Sequence, residues 1–110
     1  MSRLTTDGTL LFGIEFNGQM HKDFTMRVPT LEDVEAAIED AGPDASNARM
    51  NRHKWSRTIT RLGEIPADAI TAELLAGLPA PEYGVLLAVE DELAKKLLAS
   101  SAESSAASAK

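Results

Sequence analysis

The dipeptide Asn17-Gly18 sits inside LLFGIEFNGQMHKDFTMRV, residues 10–28, where apolar side chains recur with the alternation of strands. Asn-Gly between two such runs is the strongest short-range signal for a β-hairpin. Two registers are open. A two-residue type I′ loop pairs Phe16 with Gln19, Ile14 with His21 and Phe12 with Asp23, setting apolar side chains against polar ones. A three-residue loop with Gly18 as a left-handed bulge residue pairs Ile14 with Met20, Phe12 with Lys22 and Leu10 with Phe24. The second gathers the even-numbered apolar residues on one face and is the register expected. A lone hairpin is marginal in water, so that face has to rest on helices.

The remainder of the chain supplies them. VPTLEDVEAAIEDAGP predicts a helix over residues 31–41. Thr30 is a good N-cap, Asp33 stands at N3 in a shortened capping box, and Glu32, Asp33 and Glu35 suit the positive end of the dipole. Leu31, Val34, Ile38 and Ala41 recur at helical spacing, and Gly42-Pro43 ends the helix. A second helix is predicted over residues 46–62, capped by Asp44 or Ser46 and stopped by Gly63. Its stripe is Ala48, Trp55, Ile59 and Leu62. Met50, His53, Lys54, Arg57 and Arg61 fall opposite, with Arg52 on the flank.

A short helix follows over residues 67–76, between prolines, with Gly77 as its cap. Pro81 opens a last helix over residues 81–99. Leu86, Val89, Leu93 and Leu97 form its main stripe, with Tyr83 beside it. Leu87, Ala94 and Leu98 widen the stripe to about half the circumference, more than the ~100° that covers one core. Glu90 lies inside this arc, so it must reach solvent or pair with a cation. Residues 1–9 are expected to be flexible, residues 10–99 to form one domain, and SSAESSAASAK, residues 100–110, to be a disordered low-complexity tail. The expected fold class is α+β: an N-terminal hairpin packed on a small bundle of three to four helices.

Composition narrows the function. With 110 residues there is material for a single modest core, filled mainly by aliphatic side chains because the chain has one Trp, one Tyr and three Phe. Absence of cysteine excludes disulfides, thiolate metal sites and a cysteine nucleophile. No apolar run approaches the ~18 residues of a membrane span, and MSRLTTDGT lacks the apolar core of a signal peptide. The protein is expected to stay where it is made, without membrane association.

Enzyme chemistry has little support. His21 and His53 lie on different elements, and no HExxH, GxSxG or phosphate-binding loop occurs. The carboxylates of EDVEAAIED are explained by the helix dipole, and EDE at 90–92 faces three directions. No catalytic residue, metal ligand or cofactor is assigned.

The charge distribution is uneven. The net charge is −6, yet five of the 11 cations, Arg49, Arg52, Lys54, Arg57 and Arg61, fall in one segment. A solvated face paired with neighbouring acids, a docking face for an acidic or amphipathic protein, and a nucleic-acid helix all share this pattern. The flanks are acidic: nine Asp/Glu against three Lys/Arg in residues 1–46, and eight against three in residues 64–110. Such walls repel a polyanion, which weighs against nucleic acid.

The stretch from FNGQMHKDFTMRVPTLEDVEAA through RLGEIPADAITAELLAGLPAPEYGVLLAVEDEL resembles the small tail assembly chaperones of contractile-tailed bacteriophages, the Mu-like and P2-like group. Val28-Pro29-Thr30, Leu62-Gly63-Glu64-Ile65-Pro66 and Leu78-Pro79-Ala80-Pro81-Glu82-Tyr83 carry the likeness, over residues 10–98. The resemblance implies a non-enzymatic factor in the host cytoplasm that coats the tape measure protein until the tail tube polymerises, and that is absent from the mature virion. It also implies phage or prophage origin, with self-association and tail-tube subunits as further partners. Tyr83, Leu87 and Leu98 are then the candidate contacts, with Lys54, Arg57 and Arg61 as an electrostatic rim. The alternatives are a small nucleic-acid-binding regulator using residues 46–62, and a structural tail subunit retained in the virion.

Overall fold

A computed structural model describes residues 4–108 of the chain, with side chains through Ser100. The elements run β1 (Thr5–Phe16), β2 (Gln19–Arg27), α1 (Leu31–Ala41), α2 (Asn47–Thr58), β3 (Ile59–Leu62), a 3-10 turn (Ala67–Ala69), α3 (Ala72–Leu75) and α4 (Glu82–Ser108). The class is α+β, as expected: an antiparallel sheet in the order β1-β2-β3 packed with four helices. Leu10, Ile14, Phe24 and Met26 from β1 and β2 meet Trp55, Ile59, Leu62, Leu75, Leu86, Val89 and Leu93 in one core.

The hairpin does not use the three-residue loop. Asn17 and Gly18 both have positive φ, 53° and 77°, as a type I′ turn requires, and Phe16 pairs with Gln19 and Ile14 with His21. The apolar alternation is rescued further along β1. Thr9 pairs with Asp23 while Ile14 pairs with His21, so the four residues from Leu10 to Gly13 stand opposite Lys22 alone. An odd number of extra residues shifts the parity of one strand against the other. Leu10 and Ile14 therefore both reach the core, and Leu11 and Phe12 are driven out to solvent. Gly13 closes this bulge at φ +87°, where a Cβ would lie 2.8 Å from the His21 carbonyl oxygen.

The predicted 46–62 helix is two elements. Ser46 caps it, accepting from the Arg49 N–H at 3.1 Å, but the helix ends at Thr58 and residues 59–62 are β3. Thr58-Ile59-Thr60 is a run of β-branched residues, which favours a strand. Met26 pairs with Ile59 and Thr25 with Arg61, so Thr60 is a bulge. The bulge lets Ile59 and Leu62 both face inward. Their spacing of three is the one a helix would show, and that is why the stripe misled.

The predicted 67–76 helix is likewise broken, into the 3-10 turn and α3, because Thr71 stops one and caps the other through the Leu74 N–H at 3.1 Å. At the N-terminus, β1 begins at Thr5 and the Leu4 carbonyl accepts from the Val28 N–H at 3.1 Å, so the expected flexible stretch is largely strand. Residues 1–3 lie outside the described set. The last helix does not end at residue 99: α4 runs to Ser108, so the expected disordered tail is helical over residues 100–108, and residues 109–110 lie outside the described set.

Candidate docking surfaces

Two buried carboxylates decide which helix faces remain open. Asp33, 2% exposed, sits at N3 of α1 and completes the capping box with Thr30. Arg27 donates to both its oxygens, at 2.6 and 3.0 Å, and Arg57 Nε donates to Oδ1 at 2.9 Å. The Thr30 N–H adds a bond of 2.8 Å. Arg27 above all, then the Thr30 amide and Arg57, hold the Asp33 carboxyl well below the usual range despite its burial. These bonds draw α1 onto α2 and the sheet by the side that carries Asp33 and Ala37. Part of its apolar stripe consequently turns outward: Leu31 is 81% and Ile38 53% exposed, while Val34 and Ala41 are half-buried.

Glu82, fully buried, is the second anchor. Its carboxylate accepts from three consecutive N–H groups of the β1 bulge: Leu11 at 2.8 Å, Phe12 at 2.7 Å and Gly13 at 3.0 Å. Those groups left the strand ladder when the extra residues were inserted, and a buried N–H must find another acceptor. Burial pushes the Glu82 carboxyl up, but the three amides and the charge of Lys22 outweigh it and leave it lowered. The start of α4 is thereby pinned to β1. Neither anchor was assigned from sequence; the available signals were Asp33 in its capping box and an acid directly after Pro81.

From there α4 lies along the sheet, burying Leu86, Val89 and Leu93. Lys96 Nζ donates to Thr6 Oγ1 near the far end of β1. From Ala94 to Ser100 every residue is exposed, Leu97 (46%) and Leu98 (70%) included. Leu87 is exposed as well, at 38%. Leu97 belongs to the buried stripe by angle and is open because the helix outruns the body beneath it. The free apolar surface of α4 arises from length as well as width.

The candidate cations are placed differently from one another. Lys54 pairs with Glu90, with Nζ 3.1 and 3.0 Å from its two oxygens, and both side chains are largely buried. This answers how Glu90 is accommodated. Arg57 is committed to Asp33. Arg61, on β3, is exposed and donates to the Thr25 hydroxyl at 3.3 Å. Hence the five cations do not form one outer helical face: two serve internal carboxylates, and Arg61 lies on the sheet.

Tyr83 lies on the wall of a cleft of about 480 Å³ between α2, α3 and the start of α4. Its ring meets Trp55 edge-on at 5.4 Å, and its hydroxyl accepts from Asn51 Nδ2 at 2.9 Å. Arg49, Arg52, Leu75, Leu78 and Leu86 also line the cleft. It does not include Leu87 or Leu98, so the three apolar candidates belong to two surfaces.

Among the described residues, no cluster of three or more His, Asp or Glu could hold a metal ion, and no helix is long and apolar enough to cross a membrane. Comparison with protein-family models, with curated proteins and with solved structures gave no match.

Proposed function

We propose that this protein is a phage tail assembly chaperone that binds the helical tape measure protein and keeps it soluble until the tail tube polymerises around it. The observation that carries the reading is the open apolar surface of α4, Leu87 together with Leu97 and Leu98, on a helix that continues past its own domain. Such a surface suits a long amphipathic helix, which buries an apolar stripe against a groove or another helix. The likeness in turn sequence and element order to the Mu-like and P2-like chaperones supplies the identity of that helix. On this reading the protein acts in the host cytoplasm and leaves before the virion is complete. Arg61 stays available as an electrostatic rim, whereas Lys54 is largely buried against Glu90 and the exposed Arg57 is engaged by Asp33. Their neutralisation by Glu90 and Asp33 weakens the competing nucleic-acid reading, because phosphate binding needs cations that are free to release counterions.

Co-expression with a tape measure fragment tests it. The wild-type chain is expected to keep the fragment soluble and to co-purify with it, and Leu98→Asp or Leu87→Asp to lose most of that effect while retaining the wild-type circular dichroism. Folded variants that still solubilise the fragment would remove α4 from the contact. Failure of the wild-type chain to bind any tape measure fragment would remove the function.

A further inference from the structure

Two features outside the α4 surface fit one another. The first is the cleft. Its walls are apolar, Trp55, Leu75, Leu78, Tyr83 and Leu86, its charged lining is Arg49 and Arg52, and none of its lining residues is acidic.

The second feature is the outer face of α1. Leu31 and Ile38 stand two turns apart, about 10 Å along the axis, and within about 20° of each other around it. Glu35 and Glu39 follow on the adjoining flank, both exposed and, among the described residues, in no ion pair. This is an apolar ridge edged with carboxylates, the complement of an apolar cleft edged with guanidinium groups. A chain cannot insert α1 into its own cleft. Asp33 fastens α1 to Arg57 on one side of α2, while Ala48, Arg49, Arg52 and Trp55 present the cleft on the other.

The geometry points to a second copy of this chain as the occupant: the Leu31–Ile38 ridge of one molecule enters the cleft between α2, α3 and α4 of the next. Glu35 meets the arginines there. Ridge and cleft occupy different faces, so the contact is head-to-tail, and each added copy leaves one ridge and one cleft free. Copies continue into a chain or close into a ring; they do not stop at a symmetric pair. This goes beyond the chaperone reading and needs no tape measure protein, so either can fail alone.

The test is sedimentation of the purified full chain over a concentration series. The wild-type mass is expected to rise past that of a dimer. A ridge variant, Leu31→Ser/Ile38→Ser, and a cleft variant, Arg52→Glu, are each expected to stay at the single-copy mass. Arg49→Glu, at the exposed rim, serves as a second cleft variant should Arg52→Glu unfold. An equimolar mixture of a ridge and a cleft variant retains one sound cleft and one sound ridge, and is expected to give a dimer and nothing larger. Wild-type protein that remains single at all concentrations would overturn the proposal. So would folded variants that still dimerise alone, or a mixture that does not pair.

Discussion

Helices α1 and α4 both announce themselves by an apolar stripe and both carry a buried carboxylate, yet the stripe meets opposite fates. Helix α4 buries Leu86, Val89 and Leu93 against the sheet, while α1 buries Asp33 and Ala37 and shows Leu31 and Ile38 to water. Covering a Leu or Ile gains about 1.5–3 kcal/mol. Leaving a buried carboxylate or its arginine without a partner costs about 3–5 kcal/mol. On α1 the ionic term wins, and part of the stripe is left over. Hydrophobic periodicity reports where the apolar side of a helix is; it does not report whether anything covers it.

The contrast can be tested directly. Leu93→Ala, at a fully buried position, is expected to destabilise by about 4 kcal/mol in urea unfolding, an effect of cavity plus lost transfer energy. A loss below about 1 kcal/mol would mean that α4 is not seated by its apolar stripe.

Asp33→Asn is expected to cost about 3 kcal/mol at neutral pH, because Arg27 and Arg57 lose their counter-charge. The acid limb sharpens this. The folded carboxyl ionises more readily than the unfolded one, so its stabilisation is complete above about pH 5 and is lost as pH falls through the ordinary value of 3.8 towards the lower folded value. Stability measured from pH 6 to 3 should therefore fall more steeply in the wild type than in Asp33→Asn. Parallel curves would show that Asp33 does not anchor α1.

The smallest effect is expected at Leu31→Ser, within about 0.5 kcal/mol of wild type when measured on dilute, single-copy protein. A larger loss there would mean that the α1 stripe is covered after all.

How far the residues foretold these differences varies along the chain. Thr30, Asp33 and Gly42 marked the ends of α1 correctly, because capping is a local exchange between a side chain and nearby N–H groups. The excess arc of α4 pointed to Leu87 and Leu98, and both are open. Glu90 inside that arc called for either solvent or a cation, and Lys54 is the cation. Longer-range facts were hidden. The three extra residues of β1 leave no mark in an alternation read from the turn outward, and the bulge at Thr60 imitates helical spacing. That α1 would present its apolar side depends on Arg57, 24 residues further on, turning back to Asp33.

The Glu82 anchor has a consequence for the order in which the protein is completed. The three amides that it receives belong to residues 11–13, some 70 positions earlier in the chain. Until the chain has been synthesised past Glu82 and that segment has docked, these amides have only water to satisfy them, and closing so long a loop carries its full entropic cost. The hairpin can pair early on both sides of the bulge, at its tip and from Thr5 to Thr9, but the bulge between them waits. The centre of β1, made some 70 residues before its anchor, is thus among the last parts of the fold to be finished.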